Sequence, residues 1–423
     1  MRSKLLCAAS LAACVSTVAA WGAAGHEIAA TIAQIHLHPS VLPTMCEVLN
    51  YTSRNPNEPQ CHLAPVATWA DKLRFKMRWS APLHYVGAVA DHPSQLCLFP
   101  GAKGWEGKPG INVLGGIRNV TGILEDAVDV KGKRALSAAQ WEAANEALKF
   151  LIHFMGDMHM PLHLTGRDRG GNSDAVLFNG RKSNLHSVWD GLLIAKALRS
   201  VPAKYSRPLP SPQIEWALRG TIYDSYIRMI MVEGILGKWQ SEVPEWLTCP
   251  APEATRRPSS SSASLFLPAP FGPLLEQVIV FCQRFVFGLF TKSPADDTDD
   301  ELICPYAWAK PIHALNCDIV WPAALDEPPY STTRYDGVGD LGHQRHDHVL
   351  DELALLEKQD PVASKVYLEL DTPEYSGAIA DQWIIEKLLA QAGIRLAGVL
   401  NYLFADMGGA GREVQGGLRI NDL

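Results

Sequence analysis

The chain has 423 residues, 47% of them hydrophobic, and its 38 basic and 45 acidic residues give a net charge of −7. The length is large for one domain, but no second periodic block appears, so we predict one domain that carries an insertion. The negative charge excludes attraction of nucleic acid by the overall field of the protein. A polyanionic substrate would therefore need bound metal ions and a few local cations to attract it.

The first 20 residues have the features of a secretory signal peptide. Arg2 precedes an apolar run from Leu5 to Ala13, and small residues lead to Ala20. Cleavage after Ala20 would free an α-amine on Trp21, which together with the Trp21 carbonyl can chelate a metal ion. Removal of the signal leaves 36 basic and 45 acidic residues, a net charge of −9.

Two features of the mature sequence agree with a secreted, extracellular protein. Asn50 and Asn119 each begin an N-glycosylation sequon. No later run of about 20 apolar residues occurs, so we expect no transmembrane segment.

Most of the mature chain has the apolar periodicity of helices. Apolar residues recur every three or four positions in the stretches 25–37, 137–160, 215–236 and 378–404. Alternating apolar residues are rare, although Val176 to Phe178, followed by Asn179-Gly180, could form a small hairpin. We therefore predict an all-α, mainly helical single domain over residues 21–406.

Residues 250–302 differ in composition from the rest of this domain. The stretch begins Pro-Ala-Pro, contains serines at 259–262 and ends in an acidic run, a composition that favours disorder or a loose surface excursion. Within it, residues 274–290 form either a helix packed on the body or an interfacial amphipathic helix. We predict a low-complexity or amphipathic insertion here, and a Gly-rich tail at 407–423.

Seven of the nine cysteines lie beyond the signal, and a secreted chain should oxidise most of them. Cys249 and Cys304 flank the insertion, so we propose that they pair at its base. Cys46 with Cys61 is a second pair proposed from position alone. Cys282 is left over, either free or paired between molecules.

Histidine and aspartate recur at the spacing of metal ligands. His153 and Asp157 are four residues apart in a helical stretch, and His186 and Asp190 repeat that spacing. Side chains at i and i+4 share one helix face, so an imidazole and a carboxylate can meet one ion. The further candidate donors are the main chain of Trp21 and the side chains of His26, Asp71, His84 and His163.

These donors are all nitrogen or oxygen, with no thiolate, and zinc suits such a set in catalytic sites. A single His–Asp pair in an apolar helix can instead be a hydrogen-bonded core pair. Two such pairs close together in sequence, joined by His163, favour the metal interpretation, because acids set so densely in apolar helices are costly to bury without a cation.

The motifs that carry these donors resemble those of the S1/P1-type single-strand-specific zinc nucleases of fungi and plants. The matching segments are WGAAGH at 21–26, WADKLR at 69–74, LHYV at 83–86, HFMGDMHMPLH at 153–163, RGGN at 169–172, NLHSVWD at 184–190 and GIRLAGVLN at 393–401. The resemblance covers residues 21–250 and 304–404 and implies a nearly all-helical fold related to that of zinc phospholipase C.

The resemblance also implies three zinc ions and divides the ligands among them. One ion of a close pair would be held by Asp71, His84, His153 and one oxygen of Asp157. Its neighbour would be held by the amine and carbonyl of Trp21, by His26 and by the other oxygen of Asp157. A third, more exposed ion would be held by His163, His186 and Asp190.

The activity that the resemblance implies is metal-assisted hydrolysis of single-stranded DNA and RNA to 5′-phosphate nucleotides. Two zinc ions bridged by a carboxylate can lower the pKa of a shared water, which attacks phosphorus. Asp71 and Asp157 would act through the metal pair, and Arg74 could neutralise charge in the transition state. No protein nucleophile and no stable protein partner are expected, and the protein should be a monomer.

Two residues are candidates for contact with the substrate. Asn172 matches a family position near the bound nucleotide, although a turn role after two glycines fits its spacing equally. Tyr85, beside His84, is either a stacking wall for a base or a core aromatic. The family often has Asp or Asn at the position of Gly87, where that residue helps to bind the base, so we expect a looser base preference here.

The resemblance implies one more disulfide, between Cys97 and Cys317, because both match paired family positions.

Two other functions stay open. A zinc phospholipase C shares the trinuclear plan and the N-terminal Trp and would act on phospholipid head groups, although GDMHMPLH and NLHSVWD look more like the nuclease branch. A secreted metal-binding protein without activity is the second alternative, and the complete ligand set argues against it.

Overall fold

The computed structural model describes residues 21–131, 135–250, 299–330, 366–405 and 418–420. Helices dominate these residues and one small sheet accompanies them, which confirms the all-α prediction. The longer α-helices are Ala23–Ile35, Val41–Leu49, Val113–Lys131, Ala138–Asp157, Leu193–Arg199, Pro212–Leu218, Pro305–Leu315 and Ile384–Phe404. None of the described helices is long and apolar enough to cross a membrane.

Short helical segments connect these helices and carry several of the predicted ligands. The short α-helices are Ala64–Ala67, Trp69–Leu73, Asp168–Gly171, Leu185–Ser187, Asp224–Met229, Val243–Trp246 and Ala378–Asp381. Tighter 3-10 turns are Arg78–His84, Pro161–Leu164, Ala203–Ser206 and Ala323–Asp326. Wider π-type segments are Val188–Leu192, Ile230–Lys238, Asn316–Val320 and Pro373–Gly377.

The helix Ala138–Asp157 runs into the centre of the protein. It begins at a capping box, in which the Ser137 hydroxyl accepts from the Gln140 amide at 3.3 Å and the Gln140 side chain accepts from the Ser137 amide at 3.0 Å. Its last turns are buried and pack against Val113–Lys131. A helix fixed in this way at both ends places its final residues rigidly in the core.

The first helix, Ala23–Ile35, lies against the last, Ile384–Phe404. Both are buried over most of their length. Burial of apolar surface stabilises by about 25 cal/mol per Å², so this pairing ties the two ends of the described chain together and fixes the orientation of the N-terminal helix.

Two stretches that the periodicity predicts as continuous helices are interrupted in the structure. The stretch 215–236 is broken after Leu218, where Gly220 has a φ of +82°. The stretch 378–404 is broken at Trp383, which has a φ of +56° and separates Ala378–Asp381 from Ile384–Phe404. Left-handed backbone interrupts the helical hydrogen bonds at both points while the apolar periodicity continues through them.

The predicted hairpin is present. Strands Ala175–Phe178 and Arg181–Asn184 pair antiparallel, and Asn179 and Gly180 between them both have positive φ, as a two-residue turn requires. The short strand Leu368–Glu369 adds in parallel to Ala175–Phe178. The hairpin leads directly into the helix that carries His186.

All three predicted disulfides are present, Cys46–Cys61, Cys97–Cys317 and Cys249–Cys304. The insertion prediction lies almost entirely outside the described residues, as do Cys282 and most of the tail. The proposed division of residues 21–406 into a body and an insertion therefore stays a prediction.

Candidate metal centre

The structure brings the eight candidate ligand side chains to one place in the core. Five of them surround the end of the helix Ala138–Asp157 and are called the central set: His26, Asp71, His84, His153 and Asp157. The other three are called the outer set: His163, His186 and Asp190. His163 Nδ1 lies 3.8 Å from Asp157 Oδ1, so the two sets adjoin.

Asp157 is the centre of the first set and is completely buried. Its Oδ2 lies 3.0 Å from His84 Nδ1 and 3.3 Å from His153 Nε2, whereas its Oδ1 lies 3.4 Å from His26 Nε2. The two carboxylate oxygens therefore face different imidazoles. A carboxylate placed in this way can bridge two cations.

The spacing of the central donors fits metal ligation. Zinc–ligand bonds of about 2.0–2.1 Å in a tetrahedral site put neighbouring ligand atoms roughly 3.3 Å apart. His153 Nε2 lies 3.1 Å from His84 Nδ1 and 3.6 Å from Asp71 Oδ1. These distances, and those to Asp157, are close to the distance between neighbouring ligand atoms in such a tetrahedral site.

Several of these buried atoms have no hydrogen-bond partner within the described residues. They are both ring nitrogens of His26, His84 Nε2, Asp157 Oδ1 and Asp190 Oδ1. An unpaired polar atom in the core costs about 1–3 kcal/mol, and a bound cation would satisfy these atoms. The donor set therefore fits a metal cluster.

Backbone carbonyls orient three of the imidazoles. His153 Nδ1 donates to the Ala67 carbonyl at 2.6 Å, His163 Nδ1 to the His84 carbonyl at 2.6 Å, and His186 Nδ1 to the Gly170 carbonyl at 2.7 Å. With Nδ1 protonated, Nε2 keeps its lone pair. Such partners fix the tautomer and ring orientation of metal-ligating histidines.

The outer set is assembled over a short length of chain. His186 Nε2 lies 3.3 Å from Asp190 Oδ2, and the rings of His163 and His186 stack at 5.1 Å. Asp190 lies in the π-type segment Val188–Leu192, which follows the short helix that holds His186. The i,i+4 spacing thus brings the two donors together, as the sequence predicts.

Burial favours the neutral form of the His153 and His186 imidazoles and disfavours the ionised form of the Asp190 carboxyl. Burial lowers the pKa of His153 to about 4 and that of His186 to about 3. Burial also raises the pKa of Asp190 well above its usual range, and the charges of Asp71 and Asp157 raise it further. A cation beside Asp190 would oppose both effects, since an opposite charge favours the ionised form.

Asp157 behaves differently from Asp190. Burial alone would raise the pKa of its carboxyl, but His153, His26 and His84 hold that pKa well below the ordinary value. The carboxylate is therefore ionised within a ring of imidazoles. A charged bridging ligand is available at neutral pH.

A sequence comparison gives the family. The model of the family described as S1/P1 Nuclease matches residues 21–246, more than half of the chain.

The chain belongs to the S1/P1 nuclease family.

Several named relatives are similar to it. Endonuclease 2 of Arabidopsis thaliana is 33% identical over 233 residues, which are 54% of this chain and 69% of that protein. Nuclease P1 of Penicillium citrinum is 34% identical over 180 residues, 42% of this chain and 60% of its own length. Nuclease S1 of Aspergillus oryzae is 34% identical over 172 residues, which are 40% of this chain and 53% of that protein.

The N-terminal segment of this S1/P1 family chain is anchored beside both sets. Trp21 is fully buried, and the Gly22 amide donates to the Asp190 carbonyl at 2.7 Å. His26 lies so close to the helix Ala138–Asp157 that a Cβ on Gly156 would be 2.4 Å from His26 Nδ1. Gly156 is thus required for the approach of His26, and Trp21 stays our proposed main-chain ligand.

The three other predicted site residues lie in different settings. Arg74 follows the helix that holds Asp71, and its charge acts on both Asp71 and His84. Tyr85 is 52% exposed, so it is not a core aromatic. Asn172 donates its side-chain amide to the Arg169 carbonyl at 2.8 Å, which is the role of a turn residue. Its contact with a nucleotide stays a prediction.

A third group with metal-ligand proximity contains Asp91, Cys97 and His313. Cys97 is bonded to Cys317 and offers no thiolate. His313 Nε2 donates to Asp91 at 2.8 Å, and the Leu98 amide donates to Asp91 at 2.9 Å. These bonds satisfy the buried carboxyl, so this group is structural.

Sequence reasoning missed Glu106. Its carboxylate lies over Gly87 and Gly166, each three residues after a predicted ligand. No motif surrounds it in the sequence. Its distance of 19 residues from Gly87 and 60 from Gly166 gives no sign of the contact.

Proposed function

We propose that the chain is a secreted, zinc-dependent phosphodiesterase that cleaves single-stranded DNA and RNA to 5′-phosphate nucleotides. One observation carries this proposal: buried histidine and aspartate atoms without hydrogen-bond partners converge around Asp157, whose two oxygens face different imidazoles. The printed names of the similar proteins, Endonuclease 2, Nuclease P1 and Nuclease S1, support the same class of reaction.

Different residues of the chain would have different roles in this reaction. The central and outer sets would hold three zinc ions, which when bound supply Lewis acidity toward a phosphate oxygen and lower the pKa of water. Asp157 would fix the distance between the two ions of the close pair, because its burial allows little movement. Arg74, half-buried and three residues after Asp71 in the chain, would place a positive charge against the substrate phosphate.

A basic and aromatic strip beside the centre supports a polynucleotide substrate. The strip is defined as residues 72–79, between the candidate ligands Asp71 and His84. Phe75 is 66% exposed and Trp79 is 60% exposed. Single-stranded nucleic acid is commonly bound by cations that contact its backbone and aromatic rings that stack on its bases.

Two of the charges in this strip, those of Lys76 and Arg78, are available to phosphates. Within the described residues, Lys76 and Arg78 form no ion pair, and both are exposed. A local cluster of this kind offsets the net negative charge of the protein near the metal centre. A phospholipid head group would need one phosphate subsite, whereas a strip of cations and rings fits a longer strand.

Single-strand selectivity follows from the depth of the centre. Phosphorus must reach buried donors while the adjacent base lies beside them, and in a duplex that base is stacked and paired. Freeing it costs a few kcal/mol, and stacking on an exposed ring such as Tyr85 recovers about 1–3 kcal/mol. A duplex should therefore be attacked slowly.

The deciding experiment combines metal analysis with digestion of matched substrates. The processed protein is purified, its zinc content is measured, and initial rates are compared on a single strand, on the same strand in a stable duplex, and on phosphatidylcholine vesicles. We expect about three zinc ions per chain, rapid cleavage of the single strand only, and products with 5′-phosphates.

Chelation followed by zinc addition serves as the internal control. Equal rates on the strand and its duplex, or products with 3′-phosphates, would overturn the proposal. Turnover of phosphatidylcholine without nucleic-acid cleavage would favour the phospholipase. Full zinc content with no turnover of any substrate would favour a metal-binding protein.

A further inference from the structure

The carboxylate of Glu106 occupies a space that two glycines leave open. A Cβ on Gly87 would lie 2.6 Å from Glu106 Oε2, and a Cβ on Gly166 would lie 2.1 Å from the same atom. Both distances are far below van der Waals contact, so a side chain at either position would displace the carboxylate. At Gly87 it would also meet the Gly166 backbone, with Cα at 2.8 Å and N at 2.9 Å, whereas at Gly166 its nearest contacts would all be with the Glu106 side chain. The Glu106 amide also donates to the Gly87 carbonyl at 2.8 Å, which fixes the two segments together.

This carboxylate lies beside the candidate metal centre. Gly87 follows His84 by three residues, and Gly166 follows His163 by three. The Val86 amide donates to the His163 carbonyl at 2.8 Å, so the two segments that hold these ligands are joined next to Glu106. The position is therefore at the edge of the site that would receive the substrate.

The Glu106 side chain is half-buried and has no hydrogen bond or ion pair to another residue in the described ranges. Burial raises the pKa of this carboxyl, and the charge of Asp91 raises it further. A carboxylate without donors is costly in such a place. It is also an available acceptor for a ligand.

An exposed aromatic ring accompanies the carboxylate. Tyr85 immediately follows the ligand His84. Burial of its hydroxyl and the charge of Glu106 raise the Tyr85 pKa, while Arg169 opposes them. Arg169 is exposed and also acts electrostatically on His186 of the outer set. Tyr85 thus lies within the influence of an acid and a cation beside the metal ligands.

We propose, on the basis of the proposed nuclease function, that Glu106 is a specificity-determining residue that accepts hydrogen bonds from the edge of a nucleobase stacked on Tyr85. An ionised carboxylate only accepts hydrogen bonds. Guanine presents two adjacent N–H donors on its Watson–Crick edge, whereas adenine and cytosine present one amino group beside an acceptor. The enzyme should therefore prefer guanine, and Gly87 does not imply loose base selection.

The test compares the wild type with Glu106→Gln on single-stranded oligothymidylates that carry one guanine, adenine or cytosine at a fixed position. The cleavage rate at the bonds beside the varied base gives kcat/KM relative to thymine. In the wild type we expect a preference for guanine on the order of tenfold. A glutamine amide offers one acceptor and one donor, so Glu106→Gln should lose that preference and gain relative rate at adenine.

Three variants control for folding and sterics. Glu142→Gln makes the same change at an exposed position in the helix Ala138–Asp157 and should leave every base ratio unchanged. Gly166→Ala, whose Cβ would have its nearest contacts with the Glu106 side chain, should displace the carboxylate and reproduce the loss of guanine preference, with zinc content and thermal midpoint measured beside it. The double variant Gly166→Ala/Glu106→Gln should be no less selective than Glu106→Gln alone.

The outcomes separate this inference from the proposed function. A zinc-loaded wild type that cleaves no oligonucleotide overturns the proposed function. Cleavage with equal rates at all bases, or a guanine preference that persists in Glu106→Gln, overturns the role of Glu106 alone. A uniform loss of rate at every base in Glu106→Gln, with reduced zinc content, would show a structural role and would equally overturn it.

Discussion

Replacement of Asp157 by asparagine is the most direct perturbation of the proposed centre. The change keeps the volume of the side chain and removes its charge. Asp157 is fully buried, and its two oxygens lie within 3.4 Å of imidazole nitrogens of His26, His84 and His153. If it bridges two ions, both should weaken together.

The magnitude follows from the number of ligands. Structural zinc sites bind with about 10–16 kcal/mol, so one of four ligands contributes on average roughly 3 kcal/mol, which is more than a hundredfold in affinity. Because Asp157 would be shared, each ion of the pair should lose about that much. We expect zinc content to fall from about three toward one per chain in buffered zinc, with turnover reduced by at least about a hundredfold.

The assay is metal analysis after dialysis against a zinc buffer, together with the single-strand digestion rate. Asp91→Asn is the matched control, because Asp91 is also buried and also accepts from one histidine, His313, away from both donor sets. That variant should keep its zinc. Normal zinc content and turnover in Asp157→Asn would refute the bridging role, and equal zinc loss in Asp91→Asn would show damage to the fold.

Four further changes have distinct expected results. One extra residue before Trp21 should remove one zinc ion and most turnover; full activity in a homogeneous extended protein would exclude the amine as a ligand. Asp190→Asn should release chiefly one zinc ion by metal analysis, and loss of all three would contradict a separate outer set. Replacing Cys97 and Cys317 by serine should lower the free energy of unfolding by roughly 2–5 kcal/mol, measured by denaturant titration. Tyr85→Ala should weaken single-strand binding by about 1–3 kcal/mol; unchanged KM would reject stacking.

The sequence was sufficient to predict two of the His–Asp pairs because their spacing reflects local geometry. His153 with Asp157, and His186 with Asp190, meet because residues four apart share one face of a helix or lie within one turn. The hairpin was predictable for the same reason, since Asn179-Gly180 accepts the positive φ that a two-residue turn needs.

Features set by distant parts of the chain could not be predicted. The carbonyls that orient the imidazoles, such as Ala67 for His153, carry no residue-specific signal. The break at Trp383 is similar, because a bulky residue with left-handed φ is rare and is imposed by tertiary packing. Glu106 reaches its position only because two glycines from different segments meet there.

The disulfide Cys249–Cys304 has a consequence for proteolysis. The Cα atoms of these residues are 5.7 Å apart, so the two ends of the stretch between them are held at one point. A cut anywhere in the intervening stretch would yield a nicked, two-chain molecule whose fragments stay joined by this bridge and by Cys97–Cys317. All candidate ligands would remain on the first fragment. After cleavage, the fragments could separate only if both bridges were reduced and the buried contact between Ala23–Ile35 and Ile384–Phe404 were broken.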